Sequence, residues 1–134
     1  MSDASQKLIL VVDDEPDIVT YLTVLFKDKG YKTVSAGNGS EAAEKLKMEK
    51  PDLITLDMSM PEMSGVRFYK EIRENDDYKD IPVLVITAVT GFGNNPDDFQ
   101  KFLATRKQFP PPNGFIAKPL DQELLLAKVK ELIG

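Results

Sequence analysis

Continuous apolar runs recur along the chain and predict the strands of a buried sheet. Residues 8–12, 53–56 and 83–86 are apolar almost throughout and rich in branched side chains. Such runs are typical of strands buried on both faces, as in a parallel sheet. The shorter run 115–117 predicts another strand, and residues 31–36 predict a weaker strand at an edge of the sheet.

Helical periodicity separates these runs. After Pro16, apolar residues recur at the spacing of one helix face: Ile18, Leu22, Leu25 and Phe26. Gly30 stands where this helix would end. Further helices are predicted over residues 38–50, 65–75, 96–108 and 121–133. Strands that alternate with helices predict an α/β fold, in which helices cover both faces of a parallel sheet.

Composition narrows the chemistry and the cellular context. The 134 residues suit one compact domain and contain no Cys, His or Trp. This absence excludes disulfides, the common zinc, copper and haem sites, and His-dependent triads. Seventeen basic against 22 acidic residues give a net charge of −5, which argues against direct nucleic-acid binding. Neither a secretory signal nor a bilayer-spanning run is present, so we expect a cytoplasmic protein without membrane insertion.

Polar residues close four of the predicted strands. Asp13 and Asp14 follow the run 8–12, and Asp57 follows the run 53–56. Thr87 follows the run 83–86, and Lys118 follows the run 115–117. Ligands of open parallel sheets bind outside the carboxyl ends of the strands, so we expect these side chains to converge. Each residue alone has an ordinary alternative, such as a helix cap, a loop acid, a strand residue or a surface charge. Together they form a complementary set.

Crowded carboxylates repel one another unless a cation shares them, and Mg²⁺ prefers oxygen ligands. The acidic set therefore predicts a Mg²⁺ site able to receive a phosphate group. A carboxylate beside Mg²⁺ and a lysine is also a possible nucleophile, which would give an aspartyl-phosphate. Glu15 either extends this acidic set or only favours the start of the first helix.

These residues resemble the receiver domain of bacterial two-component response regulators. The resemblance rests on Asp13-Asp14, on residues 57–65 (Asp-Met-Ser-Met-Pro-Glu-Met-Ser-Gly), on Thr87-Ala88 and on Lys118-Pro119. It covers residues 7–133 and is strongest to the single-domain, chemotaxis-regulator-like members. It implies one receiver domain over residues 1–134, with a flavodoxin-like (βα)5 fold. That fold is a doubly wound, five-stranded parallel sheet of order 2-1-3-4-5.

The resemblance also implies roles for individual residues. Asp57 is expected to be the phosphoacceptor, and Thr87 and Lys118 the pair that contacts the phosphoryl group. Asp14, Asp57 and the Ser59 carbonyl are expected to ligate Mg²⁺ directly, with Asp13 acting largely through water. Thr87 and Phe115 are the expected switch residues, although Phe115 also suits an ordinary core position.

The expected partners follow from the same resemblance. The chain has no histidine, so a histidine kinase or histidine phosphotransfer protein is expected as phosphodonor. For a complete chain ending at Gly134, the resemblance implies no fused output domain. The expected output is then contact with a downstream protein through the fourth helix, fifth strand and fifth helix, or passage of phosphate along a relay. Enzymatic turnover is not expected beyond self-phosphorylation and self-dephosphorylation.

One region departs from the family. Thirty residues, 88–117, separate Thr87 from Lys118, where about 20 are usual for such a unit. The aromatic residues of this stretch could form a distinctive docking surface, or an extra helical turn packed on the core: Phe92, Phe99, Phe102 and Phe109.

Functions of other classes remain as alternatives. An aspartate-based, Mg²⁺-dependent phosphohydrolase also uses an aspartate at a strand end, but it needs a second acid two residues later, where this chain has Ser59. A receiver-like module that binds partners without phosphorylation is a further alternative, and the full polar set argues against it. Isolated glycine pairs complete no nucleotide-binding motif.

Overall fold

A parallel sheet lies at the centre of the protein, in a computed structural model that describes residues 6–57, 64–88, 113–118 and 120–133. Its strands are β1 (Leu8–Val12), β2 (Lys32–Ala36), β3 (Leu53–Asp57), β4 (Val83–Ala88) and β5 (Gly114–Lys118). They lie in the order β2-β1-β3-β4-β5, and all neighbours are parallel. All residues of β1 and β3 are buried, as their apolar runs predict. The predicted α/β fold with a parallel sheet is therefore confirmed.

Helices cover both faces of this sheet. The described helices are α1 (Pro16–Asp28), α2 (Gly39–Met48), α3 (Ser64–Glu74) and α4 (Gln122–Ile133). One core joins α2 and α3 to Leu10 and Val12 of β1, whereas the other joins α1 and α4 to Ile9 and Val11. Successive strand residues point to opposite faces, so the two cores lie on opposite sides of the sheet. The predicted helix 96–108 lies outside the described residues.

The helix ends follow from local chemistry. Gly30 has φ of 93° after α1, and the amides of Gly30 and Tyr31 donate to the carbonyls of Lys27 and Phe26, both at 3.0 Å. This is the Schellman arrangement that glycine favours. Asn38 caps α2 by accepting from Glu41 N at 2.8 Å. Both ends agree with the sequence patterns.

Differences from the predicted boundaries are small. α2 ends at Met48 rather than residue 50, β2 begins at Lys32 rather than residue 31, and α3 is shifted by one residue towards the amino end. The helical spacing of residues 65–75 favours Val66, Tyr69 and Ile72 as the buried face of α3; Tyr69 and Ile72 are buried, and so is Phe68. None of the described helices has the length and apolar character needed to span a membrane.

Candidate functional site

Asp13 directly follows β1 and is held by hydrogen bonds of its own backbone and side chain. Its amide donates to Ala36 O at 3.0 Å, which extends the pairing with β2. Its Oδ1 accepts from Glu15 N at 2.9 Å, a turn that aspartate commonly makes. Asp13 is only 2% exposed. The carboxylate is therefore fixed at the carboxyl edge of the sheet, below the start of α1.

Asp57 is the last residue of β3, the central strand of the sheet. It pairs with Ile86 of β4 and is 1% exposed. An ionised carboxylate in such a place is costly unless positive charge or hydrogen-bond donors compensate it. Its burial therefore marks Asp57 as more than the ordinary loop acid that the sequence alone also allowed.

The acids after β1 and β3 form one cluster. Asp13, Asp14, Glu15 and Asp57 each offer a carboxylate oxygen, and the four oxygens lie within 4.8 Å of one another. We call these four residues the acidic cluster. Asp14 and Glu15 are exposed, so the cluster has buried ligands below and solvent above. A set of oxygen ligands alone is suited to a hard divalent cation, and the acidic cluster could hold one.

The pKa of Asp14 reflects this crowding. Partial burial raises the pKa of its carboxyl group above the ordinary value of 3.8, and the negative charge of Asp57 raises it further. A hydrogen bond from its own backbone acts in the opposite direction, while Glu15 adds another repulsion. The cluster thus favours any change that supplies positive charge, whether a proton or a metal ion.

Glu15 is both the residue before α1 and a member of the acidic cluster. It is the N-cap residue of α1, but its side chain makes no capping hydrogen bond, and Pro16 begins the helix. Its carboxylate instead belongs to the acidic cluster. Glu15 therefore lies where both roles that the sequence allowed for it, extension of the cluster and a favourable charge at the start of α1, are compatible with its position.

The strand register places the backbone of the other predicted residues at the same edge. Thr87 follows Ile86, the partner of Asp57, and lies opposite Ala117. Lys118 ends β5 opposite Ala88. Phe115 lies within β5, opposite Val85. Ser59 lies outside the described residues, as do the aromatic residues between 89 and 112. The roles assigned to all these residues stay predictions.

Two features, one in the site's central strand and one at the opposite edge of the sheet, have no counterpart in the sequence patterns. Thr55 lies two residues before Asp57 in β3, between the apolar residues Ile54 and Leu56, and is 1% exposed. Among the described residues, its Oγ1 finds no hydrogen-bond partner. Arg73, in the last turn of α3, makes contacts across the amino edge of the sheet. No periodicity or strand-end rule singles out either residue, because both depend on tertiary neighbours.

Comparison with protein families gives a match over almost the whole chain. The profile of the response regulator receiver domain matches residues 9–130. This range includes all of the acidic cluster, Thr87 and Lys118. The match is independent of the geometry described above.

Individual relatives agree with this match. The chain is 35% identical over 125 residues to the CAI-1 autoinducer sensor kinase/phosphatase CqsS of Vibrio cholerae, covering 92% of this chain but 17% of that protein. It is 34% identical to protein Rrf1 of Nitratidesulfovibrio vulgaris, covering 94% of this chain and 82% of Rrf1. This chain thus corresponds to most of one relative and to a small part of another.

A solved structure shows the same fold. The chemotaxis response regulator CheY4 of Vibrio cholerae has a TM-score of 0.79 and 28% identity, with coverage of 96% of this chain and 99% of CheY4. The flavodoxin-like arrangement of a parallel sheet between helices is therefore common to both.

Proposed function

This chain belongs to the response regulator receiver domain family, and from that premise we propose that Asp57 is its phosphoacceptor. Receiver domains act in phosphoacceptor signalling, so the proposal concerns which residues perform each step. One observation carries it: Asp57 ends the central strand, is 1% exposed, and shares the acidic cluster with three other carboxylates. A nucleophile so placed is fixed in position before its reactant arrives.

The proposed reaction transfers one phosphoryl group. An Asp57 carboxylate oxygen attacks phosphorus as the P–N bond to a donor phosphohistidine breaks, and the histidine keeps the electron pair of that bond. We assign Lys118 to neutralise one phosphoryl oxygen and Thr87 to donate a hydrogen bond to another. Thr87 follows the β4 partner of Asp57, and Lys118 ends β5, the next strand along the same edge.

Mg²⁺ is the cation that we propose for the acidic cluster. When bound, it would offset the negative charge that the carboxylates and the incoming phosphoryl group bring together. Asp14 and Asp57 would ligate it, together with the Ser59 carbonyl, while Asp13 would act largely through water. The donor set fits this ion, because all four clustered side chains offer oxygen ligands.

The partners and the remaining architecture are also proposals. A histidine kinase or a histidine phosphotransfer protein would supply the phosphoryl group in the cytoplasm, since these 134 residues contain no histidine. Thr87 and Phe115 would act as switch residues, and a downstream protein would bind the face of β5 and its adjacent helices. The full fold would be (βα)5 with strand order 2-1-3-4-5, and the predicted helix 96–108 would complete it.

Phosphorylation in vitro tests the assignment. The protein is incubated with Mg²⁺ and a small phosphodonor, and intact-mass spectrometry is used to count phosphoryl groups. We expect one acid-stable, base-labile group on the wild type and none on Asp57→Asn. Asp77→Asn is the matched control, because Asp77 is exposed in the turn after α3.

Two outcomes would contradict the proposal. If Asp57→Asn gains the same phosphoryl group as the wild type, Asp57 is not the acceptor. If the wild type releases phosphate rapidly from many phosphate esters, a phosphohydrolase activity explains the site better. In the first case the phosphoryl group is assigned to the wrong residue, and in the second case the proposed class of reaction is wrong.

A further inference from the structure

Arg73 joins the end of α3 to several backbone segments at the amino edge of the sheet. Its Nη1 donates to the carbonyls of Lys79 at 2.9 Å and Ile81 at 2.8 Å. Its Nη2 donates to Asn113 Oδ1 at 2.9 Å, and its Nε to the Tyr69 hydroxyl at 3.2 Å. The guanidinium also lies over the Tyr69 ring, 4.9 Å from its centroid. We call these five residues the Arg73 clamp.

Asn113 is the point at which the clamp reaches the last strand. Its Oδ1 accepts from Arg73 and, at 2.9 Å, from Val83 N, while its own amide donates to Val83 O at 3.0 Å. The residue directly before β5 is therefore attached to the start of β4 by its backbone and its side chain. A charged donor strengthens the shared interaction.

The register of β5 depends on its start more than on its sequence pattern. β5 has five residues and lies at the end of the described sheet order. Its central residues 115–117 are all apolar, so a slip of one position would still present apolar side chains to both cores. Gly114 lies close to Leu84, where an added Cβ would be 3.0 Å from Cδ1. The Arg73 clamp and Gly114 together distinguish the observed register from its neighbours.

The register decides where Lys118 lies. A shift by one residue turns every side chain of a strand to the opposite face of the sheet. Lys118 is only five positions after Asn113, and the observed pairing sets it opposite Ala88. We propose that Arg73 is a positioning residue for phosphorylation, which acts through the register of β5 on Lys118. This inference rests on the proposed role of Lys118 in phosphoryl transfer.

Arg73→Lys is the direct test, because lysine keeps the charge but lacks the planar fork that reaches several acceptors at once. We expect phosphorylation of Asp57 by the small phosphodonor to slow about tenfold or more, since a misplacement of ~1 Å costs up to about 100-fold. Mg²⁺ affinity should not change, because the acidic cluster is formed by residues directly after β1 and at the end of β3. Arg67→Lys is the matched control, as Arg67 lies on the exposed face of the same helix.

Variants of Asn113 keep the test independent of any single substitution. Asn113→Ala removes the shared acceptor and should slow phosphorylation like Arg73→Lys. Asn113→Asp retains an acceptor oxygen for Arg73 and should keep a rate near that of the wild type. Urea unfolding followed by circular dichroism gives the stability of each variant and shows whether it is folded under the assay conditions. Equal rates for folded Asn113→Ala and wild type would overturn the inference.

A double-mutant cycle separates positioning from general stability. Lys118→Met alone should slow phosphorylation, and adding Arg73→Lys to it should slow the reaction no further, whereas the two effects on unfolding should add. If Arg73→Lys slows the Lys118→Met protein as much as the wild type, Arg73 does not act through Lys118. If Lys118→Met is phosphorylated at the wild-type rate, the proposed role of Lys118 fails and the inference fails with it.

Discussion

Replacing Asp57 by Asn is expected to stabilise the metal-free protein. Asp13 and Asp57 are 2% and 1% exposed, and their clustered oxygens lie within 4.8 Å. With an effective dielectric constant of about 20, two full charges at this distance repel by about 3.5 kcal/mol. Hydrogen bonds such as that from Glu15 N to Asp13 Oδ1 offset part of this repulsion. We therefore expect a gain of about 1–3 kcal/mol in the free energy of unfolding.

Urea unfolding in a metal chelator measures this gain. Far-UV circular dichroism is the suitable signal, because the protein has no tryptophan. A higher midpoint with an unchanged slope would indicate a change in stability rather than in the surface exposed on unfolding. Asp77→Asn is the control for the loss of one carboxylate from an exposed place, and it should change stability by less than about 0.5 kcal/mol.

Saturating Mg²⁺ should reduce the stability advantage of Asp57→Asn. At 100 times the dissociation constant, a ligand stabilises the folded state by about 2.7 kcal/mol, and the Asn variant offers a weaker site. The wild type should therefore gain more from Mg²⁺ than Asp57→Asn does. The reasoning would be refuted by an Asp57→Asn protein less stable than the wild type in chelator, or by equal gains of both proteins in Mg²⁺.

Three further predictions concern single positions. Thr55→Val removes a buried hydroxyl that has no partner among the described residues, so it should raise stability by about 1–2 kcal/mol in urea unfolding; a loss of stability would contradict this. The raised pKa of Asp14 means that the metal-free folded protein binds more protons than the unfolded chain between pH 3.8 and the folded pKa. As the pH decreases through this window, the contribution of Asp14 to the stability of the metal-free protein should therefore grow. Over the same window the Mg²⁺ affinity, measured by calorimetry, should fall. An affinity that is constant there would refute the assignment. Gly30→Ala has open space for its methyl group but a φ of 93°, so backbone strain alone should cost about 1–2 kcal/mol in thermal or urea unfolding, and no loss would contradict that origin.

The fold was largely predictable because each element carries a local signal. The apolar runs of β1 and β3 need no tertiary knowledge to be recognised, and Gly30 and Asn38 define helix ends through their own backbone and side-chain chemistry. The pattern of α3 was less clear, because its buried residues Phe68, Tyr69 and Ile72 lie close together in the sequence. Three clustered apolar residues define a helix face less sharply than a regular stripe does.

The candidate site was predictable for a different reason. Asp13, Asp14 and Asp57 follow strands, and a parallel sheet brings strand ends to one edge regardless of the details of packing. The membership of Glu15 in the cluster could not be decided in advance, because the N-cap position of α1 gave it an equally good local role. Thr55 and Arg73 gave no signal, since burial without a partner and contacts across 40 residues arise only in the folded chain.

The two edges of the sheet are therefore not independent. β3 and β5 each have five residues and span about 16 Å; β3 ends at Asp57 and β5 at Lys118, and each is attached to a neighbouring strand at its opposite end. Asp52, directly before β3, makes such an attachment: its amide donates to Leu8 O and its Oδ2 accepts from Leu8 N, both at 2.8 Å. Asp52 thus joins the start of β3 to β1 by hydrogen bonds, as Asn113 joins the start of β5 to β4. If Asp57 and Lys118 have the proposed roles, substitutions at these far-edge contacts should slow phosphorylation without touching the acidic cluster.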